Sequence, residues 1–286
     1  MFENLLASLT DGLVIGFVYG VTAMGLTLIF GVMNVINLSH GPVIAIGMFG
    51  VYFLFSSLGL NPYLAIILVA VIGLLAGILI YLVAVNRVID APELSSLLAT
   101  FSVNMMILGV GTSVFSTSPR NVDFAMGTVN LGPINLTGTR VAAGVAAIVV
   151  TAALYYFLYR TRAGKHIRAV SDNREAAELM GISSFRVLAL SFGIGTMLAM
   201  IAGGLIATYL PFTILSGEPL MAKSFVIVVL GGLGNPLGAL LGGLVLGAME
   251  GIVPVFMKMT WVPVIEFGLF VLILVVRPAG LLGAKE

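Results

Sequence analysis

Runs of apolar residues, each about long enough to cross a bilayer, follow one another along almost the whole chain. They fall at about residues 8–31, 41–57, 62–85, 95–116, 140–159, 188–210, 223–250 and 262–276. A helix needs roughly 20 such residues to cross about 30 Å of hydrocarbon. Uninterrupted runs satisfy their backbone in lipid only as helices, and the alternation of a lipid-facing barrel is absent from the pattern. The pattern therefore predicts an all-α polytopic membrane protein with about eight hydrophobic segments, broken or re-entrant helices among them. It forms one transmembrane domain over residues 1–286. Spacings such as Gly73-x-x-x-Gly77, Gly193-Ile194-Gly195 and Gly242-Gly243-x-x-x-Gly247 allow helices to approach closely in lipid.

Composition agrees: 60% hydrophobic residues and 9% charged ones could not cover a soluble globule of 286 residues. The start, MFENLLASLTDG, carries Glu3 and Asp11 and lacks the basic region and cleavage site of a signal peptide, so it is expected to stay as the first helix. The chain has no cysteine, which excludes disulfides, Cys-ligated zinc and thiolate catalysis. His40 and His166 are its only histidines.

Charge sets the orientation. Six of the 13 Lys and Arg residues (Arg160, Arg162, Lys165, Arg168, Arg174 and Arg186) stand in one connection, 160–187, whereas 117–139 contains only Arg120. The positive-inside rule makes the first cytoplasmic and the second external. Counting from there, Arg87 to Glu93 and the tail 277–286 are cytoplasmic, and 211–222 is external. Two apolar segments then stand where one crossing is due. The segment 223–250 is therefore expected to turn at membrane depth over Gly231 to Pro236 and return to the external side near Lys258 and Trp261.

Within the basic connection lies a polar island, "SDNREAAELMGISS". Asp172 or Asn173 can cap a short helix with Glu175 in its first turn and Gly181 at its end. Ala176, Leu179 and Met180 share one face, and Arg174 and Glu178 pair at i, i+4. Such a helix either anchors topology as a solvated loop or docks against another protein.

Polar residues inside the apolar runs are candidates for a translocation pathway. The densest group is Asn34, Asn37, Ser39 and His40, followed by Gly41-Pro42, which favours a helix break whose free backbone groups can bind a carboxylate or ammonium. Gly31-x-x-Asn34 is echoed by Gly232-x-x-Asn235, which suggests internal repeats with Asn235 in the corresponding place. Thr100 and Asn104 share a helix face, as a polar stripe on the pathway or as helix-to-helix hydrogen bonds. His40 reads as a structural donor rather than a proton relay, and Asp11, Glu250 and Glu266 have no obvious basic partner in sequence.

Glu175-Ala176-Ala177-x-x-x-Gly181 resembles the EAA-x-x-x-G signature of permease subunits in bacterial ABC importers. "YRTRAGKHIRAVSDNREAAELMGIS", "GLTLIFGVMNVINLSHG", "VVLGGLGNPLGALLGGLVLG" and "RPAGLLG" together resemble the LivH-type branched-chain amino acid permeases, in the same order across nearly the whole chain. The resemblance implies alternating access, with the loop 160–187 coupling to an ATPase through Glu175, Ala176, Ala177 and Gly181. It implies as partners two cytoplasmic ABC ATPase subunits, a second related permease (LivM-like) or a second copy of this chain, and an external solute-binding protein. The expected setting is the bacterial inner membrane, with no nucleic acid involved.

The chain itself is expected to be no enzyme and to bind no cofactor. It lacks G-x-x-x-x-G-K-[ST], since Gly164-Lys165 is followed by His166, so ATP and Mg belong to the partner ATPase. Branched-chain or other hydrophobic amino acids are the expected substrate, with urea or short amides as the alternative. An ion-coupled transporter working through Asp11, Glu250 or Glu266 is a rival. An intramembrane enzyme would need a nucleophile and base or a metal cluster that this sequence does not offer.

Overall fold

The computed structural model describes residues 2–131, 134–277 and 280–282. Met1, the "RPAGLLG" residues Pro278, Ala279 and Gly283, and the rest of the tail expected to be cytoplasmic lie outside them. Among the described residues, nine helical segments are long and apolar enough to cross a membrane. The fold is all-α, apart from one short hairpin.

In chain order the first group is α1 (Phe2–Met33), α2 (His40–Leu58), α3 (Pro62–Ile80), which continues through a π turn at Tyr81–Val85, and α4 (Glu93–Phe115). An antiparallel hairpin follows, β1 (Thr128–Leu131) with β2 (Ile134–Thr137), and then α5 (Gly138–Arg160). The basic connection forms α6 (Arg162–Asp172) and α7 (Arg174–Leu179). The last group is α8 (Ser184–Ala207), α9 (Gly217–Gly231), α10 (Pro236–Phe256) and α11 (Val262–Val276).

The first and last groups share several features in the same order. α3 and α10 both start at Asn-Pro, where the side chains of Asn61 and Asn235 accept the free N–H groups of the first turn. At equal offsets beyond those prolines stand Gly73 and Gly77 in α3, and Gly247 and Gly251 in α10. The α3 pair lies on α8, where a Cβ on Gly77 would stand 2.8 Å from Gly193 Cα. The α10 pair lies on α1, where a Cβ on Gly247 would stand 2.5 Å from Gly16 Cα. Upstream, Leu38-Ser39-His40-Gly41-Pro42 opens α2 and Leu215-Ser216-Gly217-Glu218-Pro219 opens α9.

The repeat thus has a different register from the one the sequence suggests. Asn235 corresponds to Asn61, not to Asn34. Gly31, which the pattern aligned with Gly232, instead packs against Gly234 of the same turn, a Cβ on Gly31 falling 2.8 Å from Gly234 Cα.

That contact also corrects the expected turn at membrane depth. Gly232 and Gly234 take positive φ between α9 and α10, and the turn they make sits beside the end of α1 and Ser171 of α6, at the cytoplasmic end of the bundle. The 223–250 segment is two helices, the later one returning towards Lys258 and Trp261 as expected.

α1 and α8 form the centre, with α8 buried along most of its length. The outer faces of α3 and α11, carrying Ile72, Leu75, Leu79, Phe267 and Val271, are exposed and apolar, as lipid contact requires. On the external side the chain after α4 is tied down by Arg120, which exchanges backbone hydrogen bonds of 2.8 and 2.9 Å with Phe212. Its guanidinium lies 5.8 Å from the centre of the Tyr52 ring.

Candidate functional site

Two extended segments enter the bundle from opposite sides. After α1 ends, residues 34–39 run inward and α2 begins at His40, which is fully buried. After α8 ends, residues 208–216 run inward through one 3-10 turn, and α9 begins at the buried Gly217, so the expected external connection 211–222 instead re-enters the bundle. The two helix starts meet there. A Cβ on Gly41 would stand 2.8 Å from Gly217 O, so only glycine allows this approach.

The residues around the first entry are largely committed to one another. Asn37 Oδ1 accepts from Ser39 N at 3.1 Å and from Ser39 Oγ at 2.6 Å. Thr100 Oγ1 donates to Ile36 O at 3.0 Å and accepts from Leu38 N, so α4 holds the extended segment by a helix-to-chain contact. His40 Nε2 lies 2.9 Å from Thr22 O, a structural donor to α1, while its Nδ1 is buried without a partner. Asn104 is buried one turn above Thr100, its Oδ1 likewise unpartnered.

Asn34 stands apart from this group: it is exposed, with φ of 51°, at a crevice shared with Phe30, Ile36 and Glu93. Asn235 is elsewhere again, capping α10 and donating from Nδ2 to Leu282 O at 3.1 Å. The structure therefore brings Asn37, Ser39, His40 and Thr100 together and leaves Asn34 and Asn235 outside that cluster.

Two of the acids without a sequence neighbour, Asp11 and Glu250, find partners in space. Asp11 pairs with Arg140 at the start of α5. Glu250 pairs with Lys223 of α9 and accepts from Tyr19 Oη at 2.7 Å. Glu266 is only 2% exposed, and its Oε1 has no hydrogen-bond partner.

On the cytoplasmic side the basic connection 160–187 forms two helices where one was expected. α6 is the additional one, and it buries Ile167 and Val170 against the bundle while Ser171 Oγ donates to Gly31 O. Its signal was present in Gly164, Ile167, Val170 and Ser171, a helical period among charged residues. Asn173, not Asp172, caps α7 by accepting from Ala176 N at 2.9 Å. Arg174 pairs with Glu178 at 3.4 Å and with Asp90 of the other cytoplasmic loop at 2.8 Å. Gly181 ends the helix at φ of 82°.

Of the EAA residues, Glu175 and Ala176 are exposed and Ala177 is buried. Leu179 and Met180 are 89% and 83% exposed, an uncovered apolar pair at the end of α7.

A bundle of crossing helices, two helix starts meeting inside it and an uncovered apolar tip on a cytoplasmic loop define a multi-pass membrane transport protein. The chain belongs to the family described as branched-chain amino acid transport system / permease component, whose family model matches residues 8–275. It is 29% identical to the high-affinity branched-chain amino acid transport system permease protein LivH of Salmonella typhimurium, over 100% of this chain and 97% of that one. It is 30% identical to the permease protein BraD of Pseudomonas aeruginosa, over 99% and 97%. A fructose import permease, FruG of Bifidobacterium longum, is 26% identical over 84% and 74%. No solved structure matches. The relatives are transport permeases rather than enzymes.

Proposed function

We propose that this chain is the membrane subunit of an ATP-driven importer of branched-chain amino acids in a bacterial inner membrane, working by alternating access. A second permease, as a copy or a LivM-like relative, completes the pathway, two ABC ATPase subunits hold ATP and Mg, and an external binding protein delivers substrate. The family and the relatives named for branched-chain amino acid transport support the substrate class.

The observation that carries the coupling is α7 with its tip. A membrane protein that buries its cytoplasmic helix α6 yet leaves Leu179 and Met180 uncovered offers an apolar knob to a soluble partner. Glu175, Ala176 and Gly181 surround that knob, and Ala177 fixes the helix to its base. Movement of α7 reaches α1 through α6 and the Ser171 to Gly31 hydrogen bond, and reaches α3 and α4 through Arg174 and Asp90.

Affinity purification from native membranes in mild detergent, with an ATPase assay, tests this. An ATPase subunit should co-purify. Aspartate tolerates the backbone of Gly181 better than most residues do, so Gly181→Asp is expected to leave the protein inserted. The charge in the contact should weaken ATPase association by about tenfold or more, with uptake falling accordingly. Normal uptake by that variant would remove the coupling role. Uptake assays with leucine, valine, urea and fructose then decide the substrate.

A further inference from the structure

Glu218 is a charged residue in a place where lipid would not tolerate it. α9 runs from Gly217 to Gly231, 15 residues or about 22 Å of helix. Its end lies with Gly31 and Ser171 at the cytoplasmic end of the bundle, and its start touches Gly41 inside it. Glu218 is therefore held about 20 Å along the axis from the cytoplasmic end, within a hydrocarbon layer about 30 Å thick. It is exposed, as are Leu215 and Pro219 beside it, and it makes no ion pair or hydrogen bond among the described residues. The other acids at this depth, Glu250 and Glu266, are sheltered in the bundle.

A carboxylate facing acyl chains within the hydrocarbon layer is disfavoured unless it is paired or hydrated. The field of the helix start beside it is a small favourable contribution that does not replace a partner or water. The surface bearing Glu218 thus differs from the apolar outer faces of α3 and α11, and it faces water. In a membrane, water at that depth means a channel, which a second permease must close on the other side.

We propose that Glu218 lines the translocation pathway and that its carboxylate pairs there with the ammonium group of the passing amino acid. The ammonium contact rests on the reading of the chain as an amino acid permease; the exposure to water does not. One acid of this kind gives a zwitterion a waypoint that a neutral amide or a sugar cannot use. The sequence offers a way to find it, because Glu218 falls inside the second copy of the Leu-Ser-x-x-Pro repeat.

The chain lacks cysteine, so a single introduced thiol reports on one position of it. The test uses the complete transporter, with its ATPases, second permease and binding protein, in proteoliposomes. Glu218→Cys is expected to react with a sulfonated, membrane-impermeant methanethiosulfonate, and Leu75→Cys on the outer face of α3 is not. Glu218→Gln should lower leucine uptake about tenfold while leaving assembly and ATP hydrolysis within about twofold, and Glu218→Asp should restore most of the uptake.

A thiol at 218 as unreactive as the one at 75, or full leucine uptake by Glu218→Gln, overturns the proposal. If the unmutated transporter takes up no amino acid, the functional reading fails and the ammonium contact falls with it. Labelling would still decide whether residue 218 faces water.

Discussion

Replacing Gly247 by leucine is expected to abolish the folded protein, while the same change at Gly109 leaves it intact. The difference lies in what a side chain would meet. A Cβ on Gly247 would stand 2.5 Å from Gly16 Cα and 2.6 Å from Gly16 N, so the obstacle is backbone and cannot rotate away. Gly109 on α4 has nothing within 4 Å of such an atom. Gly12, Gly16, Gly243, Gly247 and Gly251 together form the seam along which α1 and α10 touch.

Helices in lipid associate through this kind of close packing, since no hydrophobic drive separates them from acyl chains. Overfilling a packed core costs typically 1–3 kcal/mol, and a full leucine between two backbones should exceed that range. Because α3 meets α8 in the same way, Gly77→Leu is expected to act alike. Yield of monodisperse protein and its melting temperature in detergent check this. A Gly247→Leu protein that melts with the parent would mean that the seam is not closed in the membrane.

The sequence made the fold class plain and the packing obscure, for a physical reason. Hydropathy reports the solvent, and lipid leaves a strong mark on every segment that touches it. It does not report partners. Asp11 and Arg140 lie 129 positions apart and Tyr19 and Glu250 lie 231 apart, so no local pattern could join them. The break at Gly232 to Asn235 was legible as a break because glycine and proline act locally, but its depth depends on where α1 ends. The same limit explains the repeat. Matching Gly31-x-x-Asn34 to Gly232-x-x-Asn235 aligned the end of α1 with a turn that packs against it, whereas the Asn-Pro helix starts carry the shared register.

Among the site residues, the polar group Asn37 to His40 was legible because such residues are rare in apolar runs. Their engagement with Thr100 and Thr22 was not, because it depends on α4 and α1 closing over the entry. α7 could be read from its cap and its Gly181 end. The exposure of Leu179 and Met180 could not, since in sequence they resemble any apolar pair.

Removing the charge of Lys223 is the other change expected to be severe. Its Nζ reaches Glu250 and lies 3.4 Å from Tyr19 Oη, and Glu266 is close enough to interact with it electrostatically. This cation is the ion-pair partner of Glu250 in a place largely screened from water. Lys223→Met would leave Glu250 with only the Tyr19 hydroxyl. Uncompensated buried charge typically costs about 3–5 kcal/mol, enough to unfold many proteins outright.

Glu250→Gln should be milder, because Glu266 remains within electrostatic reach of Lys223 and the new amide can still accept from Tyr19. The double variant Lys223→Met with Glu250→Gln should then recover part of what Lys223→Met loses, since only one carboxylate remains to be accommodated. Melting temperatures of the three variants form a cycle whose non-additivity measures the pair. Two single effects that simply add would show that Lys223 and Glu250 act independently, and α9 would then be held by its glycine contacts with Gly41 and α10 instead.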